Sequence, residues 1–239
     1  MTAPLALSLD CYGTLIDWET GIARTLRPWL TRSGAVDRAE HEAVIAGFGR
    51  HETLVEAEHP SWLYPQILAE TMRRMGHDLA LPVSDLDAAA FGRSVGLWPA
   101  FADSPAALAR LKERFRLIIL SNVDRVSFRQ SNDRLGVEFD LILTAEDIGS
   151  YKPDRRNFEA LEAGLATLGL EPHQLLHVAE SLYHDHVPAK AHGLATAWIH
   201  RRHDKEGFGA TAQPNRNVTP DARYTSLSEF ADAMLAEER

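Results

Sequence analysis

Apolar residues are spaced in two different ways along this chain, and the change between them divides it. Leu5 to Leu9 is a short, nearly continuous apolar run that stops at Asp10, which predicts a buried strand. From about Trp18 to Gly96 the spacing becomes helical. Ile22, Leu26, Trp29 and Leu30 fall on one face, as do Val44, Ile45 and Phe48, and later Leu63, Ile67, Leu68, Met72 and Met75. Turn formers at Ser33-Gly34, His59-Pro60 and Gly76 to Pro82 separate these helices. No second strand is predicted within them. A helical stretch this long after a single strand exceeds a normal crossover connection, so it reads as an inserted helical subdomain.

From Trp98 the pattern alternates. Helices are predicted over Pro105 to Arg114, Val126 to Leu135, Asp154 to Leu168, Val187 to His192 and Ser226 to Glu238. Strands are predicted over Phe115 to Leu120, Phe139 to Thr144, Leu175 to Ala179 and Ala195 to Ile199. His203 to Asn217 carries Gly, Pro and Asn without periodicity and predicts a surface loop. Alternation at these lengths implies parallel strands joined by right-handed crossovers, hence an α/β fold with a doubly wound, mostly parallel sheet. The expected division is a core of residues 1–16 and 97–239 and a helical subdomain of residues 17–96.

Composition narrows the function classes. With 45% hydrophobic and 25% charged residues the chain is an ordinary globular protein. A formal charge of −9 and a pI near 5.6 argue against nucleic acid or an acidic membrane as partner, because phosphate binding needs a basic patch. The single cysteine, Cys11, excludes an intramolecular disulfide and fits a reducing compartment. With no basic leader and no long uncharged apolar stretch, a cytoplasmic location is expected.

The candidate chemistry lies at strand ends. Asp10 closes the first predicted strand and is followed by Cys11, Tyr12, a turn glycine and Thr14. In open α/β sheets ligands bind outside the carboxyl ends of the strands, a position that suits a nucleophilic carboxylate. Ser121 and Asn122 follow the second strand. Lys152 stands just before a helix, with Pro153 suited to its first turn. The strand ending at Ala179 runs into Glu180, Ser181, Leu182, Tyr183, His184 and Asp185. Each of these has a dull explanation as a cap or a solvated charge. Together, and in this order along one sheet edge, they read as a site.

The combination resembles the haloacid dehalogenase superfamily from the first strand to the last, and the helical insertion sits where that superfamily carries its cap. Superfamily phosphatases place a second aspartate two residues after the nucleophile to protonate the leaving alcohol. Here that position is Tyr12, and a phenol is a poor acid near neutrality. Displacing a halide needs no such proton, and tyrosine is the residue that 2-haloacid dehalogenases carry there.

The resemblance implies that Asp10 attacks the α-carbon of a small 2-substituted carboxylic acid and that water hydrolyses the resulting ester. Asp185, with His184 or Glu180, would serve the water. Lys152 would hold Asp10 ionised, and Thr14 would bond the nucleophile. Ser121, Asn122 and Ser181, with the amides at Cys11 and Tyr12, would hold the substrate. Arg50 would cradle the leaving group, and Trp18, Trp62 and Tyr64 would line an apolar pocket. Phe158 replaces a tyrosine common in these dehalogenases, which puts their familiar substrate range in question.

No cofactor is expected, although Asp10, Glu180 and Asp185 keep a Mg²⁺-dependent phosphatase as an alternative. Hydrolytic ring opening of azetidine-2-carboxylate and a non-catalytic binding protein on the same fold are further alternatives. A homodimer is the oligomeric option.

Overall fold

In the computed structural model, residues 4–36, 40–214 and 216–236 are described. Strand β1 (Ala6–Leu9) is followed by four helices, α1 (Trp18–Arg32), α2 (His41–Glu58), α3 (Tyr64–Asp78) and α4 (Asp85–Gly92). Then come α5 (Ser104–Lys112), β2 (Arg116–Ser121), α6 (Arg125–Leu135), β3 (Leu141–Thr144), α7 (Ala145–Ile148) and α8 (Arg155–Thr167). The chain continues through β4 (Leu175–Ala179), a π-helical turn (Leu182–His186), α9 (Val187–Ala191), β5 (Ala195–Ile199), β6 (Ala222–Tyr224) and α10 (Leu227–Ala236). Residues 237 and 238, the end of the last predicted helix, lie outside the described residues.

The strands form one parallel sheet in the order β3-β2-β1-β4-β5-β6. The direction of winding reverses between β1 and β4, and a crevice opens outside such a reversal. Leu9 lies opposite Ile119 of β2 and Val178 of β4, so Asp10, Ser121 and the residues after Ala179 emerge at one edge. Strand alternation sends side chains to two cores. Leu7, Leu9, Leu117 and Ile119 pack with Leu108, Phe128 and Phe230, whereas Ala6, Ile118 and Leu120 pack with Phe158, Leu161 and Leu165 of α8.

Helices α1 to α4 lie over the crevice as a cap. Two adjacent strands of chain join it to the sheet: Ile16 and Ala100 form an antiparallel bridge, with Asp17 N donating to Pro99 O at 2.8 Å and Phe101 N to Leu15 O at 3.0 Å.

Three local expectations change. Strand β6 and helix α7 were not foreseen, because three or four residues are too short to show a period. Pro153 is not in the first turn of α8; it precedes Asp154, whose carboxylate caps the helix through Arg156 N. The segment from His203 to Asn217 lacks regular structure, yet it is no mere surface loop. Ala210 and Thr211 are buried, and a Cβ on Gly49 of α2 would stand 2.1 Å from Ala210 O. Glycine at that position lets the loop close directly onto the cap.

Candidate active site

Asp10 follows β1 at the point where the chain turns through Gly13, whose φ of +90° is one that glycine adopts freely. That turn brings Thr14 back to the carboxylate. Thr14 Oγ1 donates to Asp10 Oδ2 at 2.6 Å and accepts from Glu180 N at 2.9 Å, so one hydroxyl ties the ends of β1 and β4 together. The other Asp10 oxygen accepts from Lys152 Nζ at 2.9 Å. The same ammonium donates to Asp185 Oδ1 at 2.7 Å and to Leu120 O at 2.9 Å, which engages all three of its protons. Asp185 Oδ1 also bonds His177 Nε2 at 2.9 Å, and His177 Nδ1 bonds Ser8 Oγ at 2.8 Å.

Burial and charge act against each other here. Burial alone would pull the Lys152 ammonium down, but the two carboxylates raise it above its ordinary value, so it remains charged. Burial pushes Asp185 up, and Lys152 and His177 outweigh that and hold it well below the usual carboxylate range. Burial pushes Asp10 above its ordinary value, while Lys152 and Thr14 pull the other way. At 2.9 Å from a charged ammonium with every proton engaged, the Asp10 carboxylate is held as an aligned anion.

A small cavity opens over Asp10, lined by Tyr12, Trp18, Tyr64, Glu52, Lys152, His184 and Asp185, with Asn122, Ser181 and Thr211 completing its wall. The Tyr12 ring stands edge-on to Trp98 with centroids 5.7 Å apart and stacks on Tyr64 at 6.3 Å. Its hydroxyl lies 2.9 Å from Ser131 Oγ, away from Asp10. Ser181 Oγ accepts from His184 N at 2.9 Å and so starts the π-helical turn. Single π turns of this kind are frequent at functional sites. His184 is buried, and its Nε2 has no partner. Burial lowers its imidazole to about 4, so the ring is neutral.

Several expected residues stand elsewhere. Arg50 points to the outer surface of the cap and pairs with Asp78 at 3.0 Å, with 60% of its side chain exposed. Positions two apart on a helix turn about 200° from each other, so the inward place on α2 goes to Glu52. Asn122 borders the cavity, but its amide is committed. Its oxygen accepts from Lys152 N at 2.6 Å, its nitrogen donates to Lys152 O at 3.0 Å, and it reaches Glu56 at 3.2 Å. It therefore positions the lysine loop rather than offering its side chain to a substrate. The Cys11 thiol is buried in the apolar core and pushed well above its ordinary value by burial. Trp62 stacks on His59 and is absent from the cavity wall, while Trp18 and Tyr64 stand in it. Phe158 packs against His177 and His192, behind the site.

Glu180 faces a neighbouring cavity lined by Glu19, Arg201, Arg202 and Lys205, where burial pushes its carboxyl up to about 8, with Glu19 and Asp10 adding to the rise. The expected set of Asp10, Glu180 and Asp185 is thereby split. Among the described residues no three His, Cys, Asp or Glu side chains are grouped to hold a metal ion; Asp10 and Asp185 remain in one cavity, with the Lys152 ammonium between them.

The sequence missed His177, Glu52 and Glu56. His177 is a lone imidazole within an apolar strand, a weak signal. Glu52 and Glu56 could have been found. They share the apolar stripe of α2 with Ile45, Phe48 and Val55, and a carboxylate on such a stripe is either paired or functional.

The family model for haloacid dehalogenase-like hydrolases matches residues 5–193. The chain belongs to that family. It is therefore an enzyme of a hydrolase family, with the α/β fold that the sheet displays. The chain is 28% identical over 230 residues to an (S)-2-haloacid dehalogenase of Pseudomonas sp. strain YL, covering 92% of this chain and 90% of that one.

Two solved structures show the same fold. One is an L-2-haloacid dehalogenase from Xanthobacter autotrophicus with chloropropionic acid covalently bound (TM-score 0.77, 17% identity, 98% of this chain and 99% of that one). The other is a putative hydrolase of the family from Bacillus subtilis bound to magnesium (TM-score 0.76, 14% identity, 98% and 100%). The fold is thus shared by proteins that hold different ligands, chloropropionic acid in one and magnesium in the other, and does not by itself fix the chemistry. No helix among the described residues is long and apolar enough to cross a membrane.

Proposed function

We propose that this hydrolase displaces the 2-substituent of a small carboxylic acid by direct attack of Asp10 on the α-carbon, as a 2-haloacid dehalogenase does, through an aspartyl ester that water then cleaves. The observation that carries this reading is the pairing of an oriented carboxylate with a missing acid. Lys152 and Thr14 fix both oxygens of Asp10, while Tyr12 stands two residues on and turns its hydroxyl to Ser131. A halide leaves without a proton, so this arrangement suits carbon–halogen cleavage better than phosphoryl transfer.

The substrate would lie against the Tyr12, Trp18 and Tyr64 rings. The Ser121 hydroxyl is buried and has no partner within the protein, but it is not part of the wall of this cavity. In the second step water attacks the Asp10 carbonyl carbon. Asp185 Oδ1 is held by Lys152 and His177, while Asp185 Oδ2 and the Nε2 of neutral His184 have no partner within the protein, and these two atoms, on residues that line the cavity, would hold that water. No step is assigned to a metal ion.

Turnover of excess enzyme with 2-chloropropionate in oxygen-18-labelled water, followed by mass spectrometry of the peptide containing Asp10, tests the route. The expected result is label in Asp10, chloride release unchanged by EDTA, and no turnover by Asp10→Asn. An active enzyme that leaves Asp10 unlabelled would have water attacking the substrate directly, and the ester reading would fall.

A further inference from the structure

The proposed route leaves one side of the cavity without a task. Glu52 projects from α2 of the cap into the same cavity as Asp10, Lys152 and Asp185, and it is 3% exposed. Its Oε1 accepts from the Tyr64 hydroxyl at 2.6 Å. A halide departing from the substrate needs no proton from a carboxyl group beside it. We propose that Glu52 is a proton donor to the leaving group, and that the cavity therefore also serves small 2-substituted carboxylic acids whose departing atom is oxygen.

This proposal rests on the Asp10 ester route and adds to it. An alkoxide is a strong base and a poor leaving group from carbon, and its departure is accelerated by a proton taken up as the bond breaks. Glu52 is the one carboxyl among the cavity-lining residues with no cation bound to it. All three Lys152 protons are engaged, the Tyr12 hydroxyl is directed to Ser131, and the His184 ring is neutral. Around Glu52 stand Asp10 across the cavity, Tyr64 from α3, and Glu56 one turn along α2, with Lys152, His184 and Asp185 on the far wall. Burial pushes the Glu52 carboxyl up to about 8, Asp10 adds to the rise and Tyr64 opposes it, so the group carries its proton at neutrality.

A second observation points to a ligand in the same space. His184 Nε2 is a polar atom of a side chain 6% exposed, it lines this cavity, and nothing in the protein bonds it.

The step balances without a further reactant. An Asp10 oxygen bonds to the α-carbon while the bond from that carbon to the leaving oxygen breaks, and its electron pair goes to that oxygen. The leaving oxygen takes the Glu52 proton, and Glu52 becomes a carboxylate. Water then adds to the Asp10 carbonyl carbon and the ester bond breaks. One water proton goes to the new 2-hydroxyl and the other restores Glu52. The net change is addition of one water. With oxirane-2-carboxylate, where the ring oxygen is the leaving atom, the product is 2,3-dihydroxypropanoate.

The test compares oxirane-2-carboxylate with 2-chloropropionate on the full chain over a range of pH, for the wild type, Glu52→Gln and Glu52→Asp. The expected result is ring opening by the wild type that falls as pH rises through about 8, a limb that chloride release does not share. Glu52→Gln keeps the Tyr64 hydrogen bond but holds no transferable proton. It should lose about a hundredfold more of the ring opening than of the chloride release. Glu52→Asp should restore part of the ring opening together with its pH limb.

Equal losses on both substrates would make Glu52 a structural residue and overturn the proposal. So would a wild type that releases chloride but leaves the ring intact, or a Glu52→Gln enzyme that opens the ring normally. A wild type that never labels Asp10 would sink the ester route itself, and this proposal with it.

Discussion

The sheet side and the cap side of the cavity are built differently. On the sheet side Asp10, Thr14, Lys152, Asp185, His177 and Ser8 form one connected chain of hydrogen bonds, each member held by at least one other. On the cap side Glu52 is held by a single bond from Tyr64, and Glu56, one turn along α2 and behind the cavity wall, by the amide of Asn122. The first wall is a network of opposite charges, and such a network is rigid because removing any member strands the others. The second consists of two carboxyls on one helix face that burial pushes toward the neutral form, with only hydrogen-bond donors to hold them. On the proposed route the nucleophile is thus held more firmly by the sheet than the carboxyls above it are held by the cap.

This contrast can be broken or sharpened by substitution. The largest effect is expected at Lys152→Met. Loss of the ammonium strands two buried carboxylates, so activity should fall about a thousandfold, and stability by about 3–5 kcal/mol. Single-turnover kinetics and denaturant unfolding would show whether the sheet-side network is as interdependent as its geometry requires. Next comes Gly49→Ala, which puts a Cβ 2.1 Å from Ala210 O. It should cost about 1–3 kcal/mol by prising the cap from the loop, and it should raise KM more than it lowers kcat.

A smaller effect is expected from Glu52→Gln on the pH dependence of stability. The Glu52 carboxyl ionises near 4.5 unfolded and near 8 folded, so the folded state binds the extra proton. Its contribution is complete below about 4.5 and is lost as pH rises toward 8. The variant should therefore show a shallower decline over that window and gain on the wild type at the alkaline end. Glu56 and Glu180 would keep the remaining slope. The smallest effect is expected at Arg50→Ala. An exposed pair with Asp78 is worth about 0.5 kcal/mol, and turnover should not change.

Much of the sheet side was legible in advance because Asp10, Ser121 and Glu180 stand at strand ends, whereas Ser8 and His177 lie within strands and gave little signal. An apolar run ending in Asp10, a second ending before Ser121 and a third ending before Glu180 place three strand ends in a parallel sheet, and such ends meet at one edge. Lys152 was recognisable as part of the same set by its order in the chain. Arg50 and Glu180 were misplaced for different reasons. Arg50 was matched by order along a helix, where a difference of two positions reverses the face. Glu180 follows the right strand, but its side chain turns to the neighbouring cavity. Asn122 was correctly placed at the edge, and only the fold showed its amide spent on the backbone of Lys152.

Hydrophobic spacing by itself determined the alternation of strand and helix, the helical insertion and the strand-end location of Asp10, because these depend on period and on nearest neighbours in the chain. Tertiary structure alone decided which carboxyls share a cation and which remain without one. Asp10 and Lys152 are 142 positions apart in sequence and 2.9 Å apart in space. Whether a carboxyl is an aligned anion like Asp10 or a proton-bearing acid like Glu52 depends on the charges brought within a few ångströms after water has been excluded.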